Sequence, residues 1–456
     1  MVVAAVASPR TYDLAGFRAA IDGVPVIDDP AWVRLKSRDF FWYSPVLKQV
    51  LDGKRADLVV CPRDERDVVR VARAAARFRV PVTVRGGGTG NYGQAVPLAG
   101  GIVLEMTALD AIEWTRPGQV RVGAGRKLID IDDELSAAGW ELRMHPSTKR
   151  TATIGGFVGG GSGGVGSITY GGLRELGNVL AARIVTLEDE PRILELREAD
   201  ALCVNHAYGT TGIITALEMP LAPVWPWLDV IVAADDFPTA VRIGHRAALA
   251  DGIVKKLLTP LAWPIPSYFR QFKSEFPPGR ACLIAMVAEP SFAPFKALAE
   301  AGGGAITYCA PTAEGPGARP LYECTWNHTT LHALKLDRNL TYLQALYPAD
   351  RLEAAVAEID ATFGDELLPH LEFIRFGGRV TCSSLHLIRY TTPARLREIF
   401  AIHEAHGVMI ADPHVFTLEE GSRHKRADAD QLGFKRTVDP YGLLNPGKMR
   451  SFVAAA

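Results

Sequence analysis

Leu58-Val59-Val60 is a short apolar run between polar residues and reads as a strand. In the stretch that follows, RDERDVVRVARAAARFRV, apolar residues recur at Val68, Val71, Ala72, Ala75 and Ala76. That is the i, i+3, i+4, i+7, i+8 spacing of one helix face. Arg66, Arg70, Arg73 and Arg77 take the rest of the surface, as a solvated face does. A second apolar run, Val82 to Val84, completes strand, helix and strand, an α/β unit. Ile102 to Glu105 is the next strand. AIEW and QVRVGAG alternate on either side of Pro117-Gly118 and predict a hairpin. Lys127 to Gly139 carries a helical period closed by a glycine. From Asn178, NVLAARIVTLEDEPRILEL predicts a strand, a turn at Asp189 to Pro191, and a strand. YGTTGIITALEMPLAP, Tyr208 to Pro223, predicts a glycine turn and a β-rich run. Beyond Pro223 the pattern breaks into PVWPWL, PLAWPIP and EFPPG, which puts a domain boundary near residue 223. The middle mixes strands and helices, AEGPGARP reads as a loop, and DPYGLLNPGKM (Asp439 to Met449) is rich in turns. No internal repeat is visible.

Composition narrows the class. At 48% hydrophobic and 22% charged, the 456 residues are those of an ordinary globular protein of two or three domains. A net charge of −1 gives no hint of nucleic acid as a partner. The cysteines, Cys61, Cys203, Cys282, Cys309, Cys324 and Cys382, form no CxxC pair, which excludes zinc ribbons and thioredoxin-like motifs. So thin a spread predicts reduced, mostly buried thiols and a cytoplasmic protein. MVVAAVASPR lacks a basic region before its apolar run and reads as a frayed start, not a signal peptide. No apolar stretch is long enough to span a bilayer.

Glycine carries the chemistry. RGGGTGNYG, Arg85 to Gly93, directly follows a strand. Glycine there weakens the element unless the backbone takes unusual dihedrals or something approaches it closely. From Gly155 to Gly172, ten of eighteen residues are glycine, yet Phe157, Val158, Val165, Ile168 and Tyr170 are interleaved, which a flexible linker would not carry. Such a packed loop can turn its backbone N–H groups toward an anion. Gly88, Gly90 and Gly93 satisfy GxGxxG, with Glu113 twenty residues on, but Pro97 and Gly100-Gly101 follow where a Rossmann helix should begin. No GxxxxGK[ST] string occurs. Two cradles on an α/β framework point to a diphosphate ligand held over much of its length.

VPVTVRGGGTGNYG, HPSTKRTATIGGFVGGGSGGVGSITYGGLRELGNVL, YGTTGIITALEMPLAP and DPYGLLNPGKM stand in order along the chain. Together they resemble the FAD-linked oxidases of the vanillyl-alcohol oxidase (PCMH-type) superfamily, nearest the glycolate oxidase and D-lactate dehydrogenase branch. The resemblance covers about residues 50 to 223 and the C-terminal stretch. It implies an α+β fold: a two-lobed PCMH-type FAD-binding domain over 1–223, an α+β cap or substrate domain over 224–415, and a segment over 416–456 returning to the FAD domain. It implies that Arg85, Gly86, Gly87, Gly88, Thr89, Gly90 and Asn91 wrap the FAD pyrophosphate. Pro146, Thr153, Gly155, Gly156, Ser162, Gly163 and Tyr170 would cover the rest of the diphosphate, the ribityl chain and the flavin edge. Gly212, Ile213 and Ile214 would pass the adenine and ribityl side, and Asn445 and Lys448 would lie close to the isoalloxazine. Covalent relatives use a histidine in the first loop or a cysteine in the second. Neither residue occurs here, so FAD is expected to be non-covalent.

The implied activity is FAD-dependent oxidation of a small alcohol or hydroxy acid by hydride transfer to flavin N5. The electron acceptor is left open among O2, a quinone and a redox protein, and so is a homo-oligomer. A phenolic or amine substrate, or a flavin-binding assembly or electron-relay subunit, are the alternatives. The branch's His-rich GDGN and GEHG-type strands are only partly kept. FGGRVTCSSLHLIRY retains His386, and GVMIADPHVFTLEEG aligns His414, which makes these the candidate catalytic bases. Arg379 could clamp a carboxylate, and Trp326 and His328 in CTWNHTTLHALK could line a substrate pocket. No metal site is expected. His403 and His406 in HEAH lack a third ligand and are best explained as an exposed helix end.

Overall fold

The computed structural model describes residues 12–313, 317–420 and 429–453. Three residues of the expected loop AEGPGARP, and all of the N-terminal run MVVAAVASPR, therefore lie outside the described residues.

The first lobe is a four-stranded sheet in the order Val26–Ile27, Leu58–Val60, Ile102–Glu105, Val82–Arg85, and its last three strands run parallel. The Arg-faced helix is Glu65–Phe78. It starts where the Asp64 carboxylate accepts from Asp67 N–H and ends where Arg79 turns left-handed at φ 56°. Val68, Val71, Ala72, Ala75 and Ala76 are all fully buried against this sheet's core. The second lobe is antiparallel. Its strands run Ile112–Arg116, Gln119–Gly123, Ile213–Pro223, Ala181–Val185, Ile193–Arg197, with Trp140–Leu142 pairing the far end of Ile213–Pro223.

Two antiparallel sheets follow. One is ordered Lys255–Leu261, Ala281–Ala288, Trp227–Ala234, Ala305–Pro311. The other is ordered Leu367–Leu368, Arg379–Arg389, Leu340–Leu346, Met409–Ala411, with Leu371–Phe376 also paired to Arg379–Arg389. Helices Phe237–Leu249, Leu352–Phe363 and Pro393–Ala405 share one apolar core with both sheets. The chain then returns to the first lobe. Val82 N–H donates to Leu443 O, Asn445 N–H donates to Val82 O, and Leu444 forms a parallel bridge with Val82.

Some details depart from the sequence reading. The glycine-rich second cluster contains a helix, Ile154–Gly160, capped by the Thr153 hydroxyl accepting from Gly156 N–H. Only Cys282, Cys324 and Cys382 are buried, Cys309 is exposed, and all six are free thiols. His403 is not at an exposed helix end: it is fully buried, stacks on Phe363 and donates from Nδ1 to Ile399 O.

Candidate cofactor and active site

A cavity with about 1360 Å³ of empty volume, partly open to solvent, lies where both lobes meet the cap. The first glycine loop forms its floor. Glycine is required there by close approach: a Cβ on Gly87 would sit 2.1 Å from Thr151 O, and Gly88 has φ +66°. Among the described residues, the N–H groups from Gly86 to Asn91 find no acceptor. Arg85 braces this loop, donating from Nε to Lys36 O at 2.9 Å and from Nη1 to Gly86 O at 2.7 Å. Opposite, Gly159 on the short helix is glycine for another reason. Its Cβ would meet nothing nearer than Ile214 Cδ1 at 3.9 Å, so the protein leaves room and the side chain would fill the cavity.

The cap closes the other end with Trp326, Asn327 and Gln344, beside Tyr92 and Tyr208. Trp326 sits at φ 50°, a region costly for a bulky residue. Its N–H donates to Glu372 Oε1 at 2.6 Å, and the same buried carboxylate accepts from Thr259 Oγ1 at 2.5 Å and is 2.8 Å from His370 Nε2. Replacing Glu372 by Gln puts amide hydrogens against these donors. The expected loss is about 1–3 kcal/mol of stability, read from denaturation midpoints.

Whether this cavity suits a flavin dinucleotide can be judged from its polar atoms. Asn91 Nδ2, Gln94 Oε1, Trp326 Nε1 and Asn327 Oδ1 are buried on the cavity and have no partner among the described residues. Buried groups of this kind are satisfied in a working protein. Together with the unpaired amides of the loop, they fit a long polar ligand carrying a diphosphate.

Among the expected cofactor residues, Arg85 through Asn91, Pro146, Thr153, Gly155, Gly156, Ser162, Gly163, Gly212 and Ile214 line the cavity. Tyr170, Ile213, Asn445 and Lys448 do not. Tyr170 packs under the Arg143 guanidinium, and Ile213 faces the first lobe's core. Asn445 Nδ2 donates to Gln94 O and Tyr208 O, and Lys448 Nζ donates to Gly93 O, so both act from behind the wall. Of the substrate candidates only Trp326 reaches the cavity. Arg379 lies exposed on the Gly377-Gly378 hairpin. His328 is held inside the cap, where burial pushes its pKa down to about 4.

The two candidate bases lie away from the cavity. His414 Nδ1 is 2.7 Å from Ser44 Oγ and its Nε2 is 3.0 Å from Tyr342 O. His386 Nε2 is 2.8 Å from the Tyr347 hydroxyl, and its Nδ1 accepts from His370 N–H. Neither lines the cavity, and burial holds the His386 imidazole well below its ordinary pKa. His386 bonds within the cap, and His414 links the Leu340–Leu346 strand to Ser44 of the N-terminal stretch.

Sequence reading missed Asp39, whose carboxylate accepts from Phe41 N–H and Ala95 N–H on the cavity wall. Burial pushes its pKa up to about 6, while the buried Lys448 ammonium opposes the shift. Tyr208 opens the YGTTGIITALEMPLAP motif, and nothing in the surrounding sequence singles out it or His206. Among the described residues no group of three or more His, Cys, Asp or Glu could hold a metal ion. No described helix is long and apolar enough to cross a membrane.

A glycine-lined cradle between two lobes, roofed by two antiparallel sheets, is a site that suits a long ligand carrying a diphosphate. Comparison with known proteins agrees. Residues 56–193 match the family described as FAD binding domain. The chain is 32% identical over 192 residues to a D-lactate dehydrogenase of Archaeoglobus fulgidus, covering 40% of this chain and 42% of that protein. It is 28% identical over 205 residues to glycolate oxidase subunit GlcD of Escherichia coli, covering 43% and 41%. The matched stretch thus spans about two fifths of each relative's length. Among solved structures, an alkyldihydroxyacetonephosphate synthase shares the fold with a TM-score of 0.73 over 97% of this chain and 86% of that one, at 15% identity. The chain carries an FAD binding domain of this family on the PCMH-type fold, and FAD is its cofactor.

Proposed function

We propose that the protein is an FAD-dependent oxidoreductase that oxidises a small alcohol or hydroxy acid in the cap end of the cavity. The observation that carries this reading is the set of unpaired polar atoms on one continuous wall: loop amides at one end, Trp326 Nε1 and Asn327 Oδ1 at the other. The relatives named for D-lactate and glycolate support the substrate class.

When bound, FAD supplies a hydride acceptor. The chain's own residues do the rest. The amides of Gly86 to Asn91 and of Ser162 and Gly163 would hold the diphosphate without side chains in the way. Trp326 Nε1 can donate to a substrate oxygen and Asn327 Oδ1 can accept from a hydroxyl or amine. Trp326 and Tyr208 exclude water from that end by bulk.

Neither loop offers a histidine or cysteine for a covalent link. The purified protein should therefore show oxidised-flavin bands, and acid precipitation should release FAD into the supernatant. Colour left in the pellet would contradict non-covalent binding. Anaerobic bleaching by D-lactate, glycolate, glycerol or benzyl alcohol then tests the activity, and a flavin that none of them bleaches would favour an assembly or electron-relay subunit.

A further inference from the structure

The proposed reaction needs a group at the cap end that can take the proton of a substrate hydroxyl, and His386 and His414 are elsewhere. Two phenols line that end. Tyr92 donates to Gln344 Oε1 at 2.5 Å, and an amide cannot take a proton onward. Tyr208 differs. Its hydroxyl is 3.5 Å from His206 Nε2, with the rings edge to face at 5.1 Å. On its other side, His206 Nδ1 lies 2.8 Å from Gly161 O. A carbonyl only accepts, so Nδ1 carries the hydrogen and Nε2 of the neutral ring is the acceptor facing Tyr208.

The backbone holds this pair at a cost. His206 and Tyr208 both have positive φ, 56° and 54°. Neither is glycine, and strain of this kind gathers at functional sites. The conformation is fixed by His206 N–H donating to Val158 O, Tyr208 N–H donating to Gly159 O, and Asn445 Nδ2 donating to Tyr208 O. Two of these carbonyls belong to the helix that lines the cofactor cavity. The cradle and the pair are therefore built as one unit.

The geometry points to Tyr208 as the catalytic proton acceptor of the substrate hydroxyl, with His206 as the relay that receives the phenol's own proton. This rests on the oxidoreductase reading above. The substrate O–H proton passes to Tyr208 Oη as the Tyr208 proton passes to His206 Nε2. The oxygen's electron pair forms the C=O bond, and the carbon's hydrogen leaves with its pair as hydride, taken by the flavin as oxidant. The pair ends as neutral tyrosine and imidazolium. Burial raises the Tyr208 pKa well above its ordinary value, with Tyr92 and Asp39 facing it and adding to the shift. The phenol therefore stays protonated until a partner takes its proton, which is the arrangement a relay requires.

Two measurements test this on the FAD-loaded protein. In anaerobic bleaching by D-lactate, glycolate, glycerol or benzyl alcohol, Tyr208→Phe should retain FAD but slow reduction about 100-fold. His206→Gln should slow it too and remove one ionisation from the pH profile, which a merely structural role would not do. Unchanged bleaching in Tyr208→Phe would overturn the relay. Independently, ¹⁵N-histidine NMR at pH 8, with the His206 signals identified by their loss in His206→Gln, should show the proton on Nδ1. A proton on Nε2 would overturn the relay even if no probe bleaches the wild type, a result that would instead sink the oxidoreductase reading.

Discussion

Gly159→Val should weaken FAD binding on the order of 1,000-fold, about 4 kcal/mol, without lowering the melting temperature of the apoprotein. Gly159 lies inside the Ile154–Gly160 helix, where glycine costs roughly 0.5–1 kcal/mol against alanine. No protein atom objects to a Cβ, since the nearest is 3.9 Å away. The space a side chain would enter is the cavity itself. Gly159→Ala should therefore raise apoprotein stability slightly and cost about tenfold in FAD affinity, with valine adding the larger clash. Gly87→Ala is the contrast. Its Cβ would lie 2.1 Å from a backbone carbonyl, so it should destabilise apo and FAD-loaded protein alike, by about 1–3 kcal/mol. Flavin fluorescence titration and thermal melts separate the two. Gly159→Val binding FAD as tightly as wild type would mean that the dinucleotide does not lie along this helix.

The contrast between those glycines shows where the sequence was legible. The Glu65–Phe78 helix follows its apolar period because it buries one face, while Leu58–Val60 and residues 102–104 read as unbroken apolar runs because both of their faces are buried. The Ile154–Gly160 helix follows no such pattern, since glycine has poor helix propensity. The helix exists because Thr153 caps it and the Phe157 and Val158 side chains are buried in the second lobe. The resemblance located most of the cradle because a diphosphate needs consecutive bare amides, which is a local requirement. The side chains of His386 and His414, which lie off the cavity, were not legible for the opposite reason. The strand Arg379–Arg389 is buried on both faces, so alternation cannot say which way His386 points. Asp39 comes from the N-terminal stretch, and the Tyr208–His206 pair depends on left-handed dihedrals that no pattern of side chains reports. These are long-range or backbone facts, invisible to spacing.

Lys435→Met should cost about 3–5 kcal/mol of stability, because it strands a buried carboxylate. Lys435 and Asp439 have side-chain exposures of 3% and 0% and are 2.7 Å apart. Lys435 Nζ also donates to Thr210 O at 2.9 Å and Leu444 O at 3.2 Å, while Asp439 accepts from Leu443 N–H and Leu444 N–H. Burial pulls the lysine pKa down and pushes the aspartate pKa up, so each group depends on the other to stay charged. The pair ties the Thr210 turn, between cavity-lining Gly209 and Gly212, to the Leu444 bridge beside Val82. Val82 begins the strand that delivers Arg85 to the first glycine loop. The C-terminal return is thus a fastening for the cradle, not a passive tail. Methionine removes three hydrogen bonds and one charge at once. Lys435→Met/Asp439→Asn should recover part of the loss, since the double change removes the uncompensated charge. Urea midpoints at constant slope would read both effects. A loss below about 1 kcal/mol, within the range of exposed pairs, would show that water reaches this site and that the cradle is fastened elsewhere.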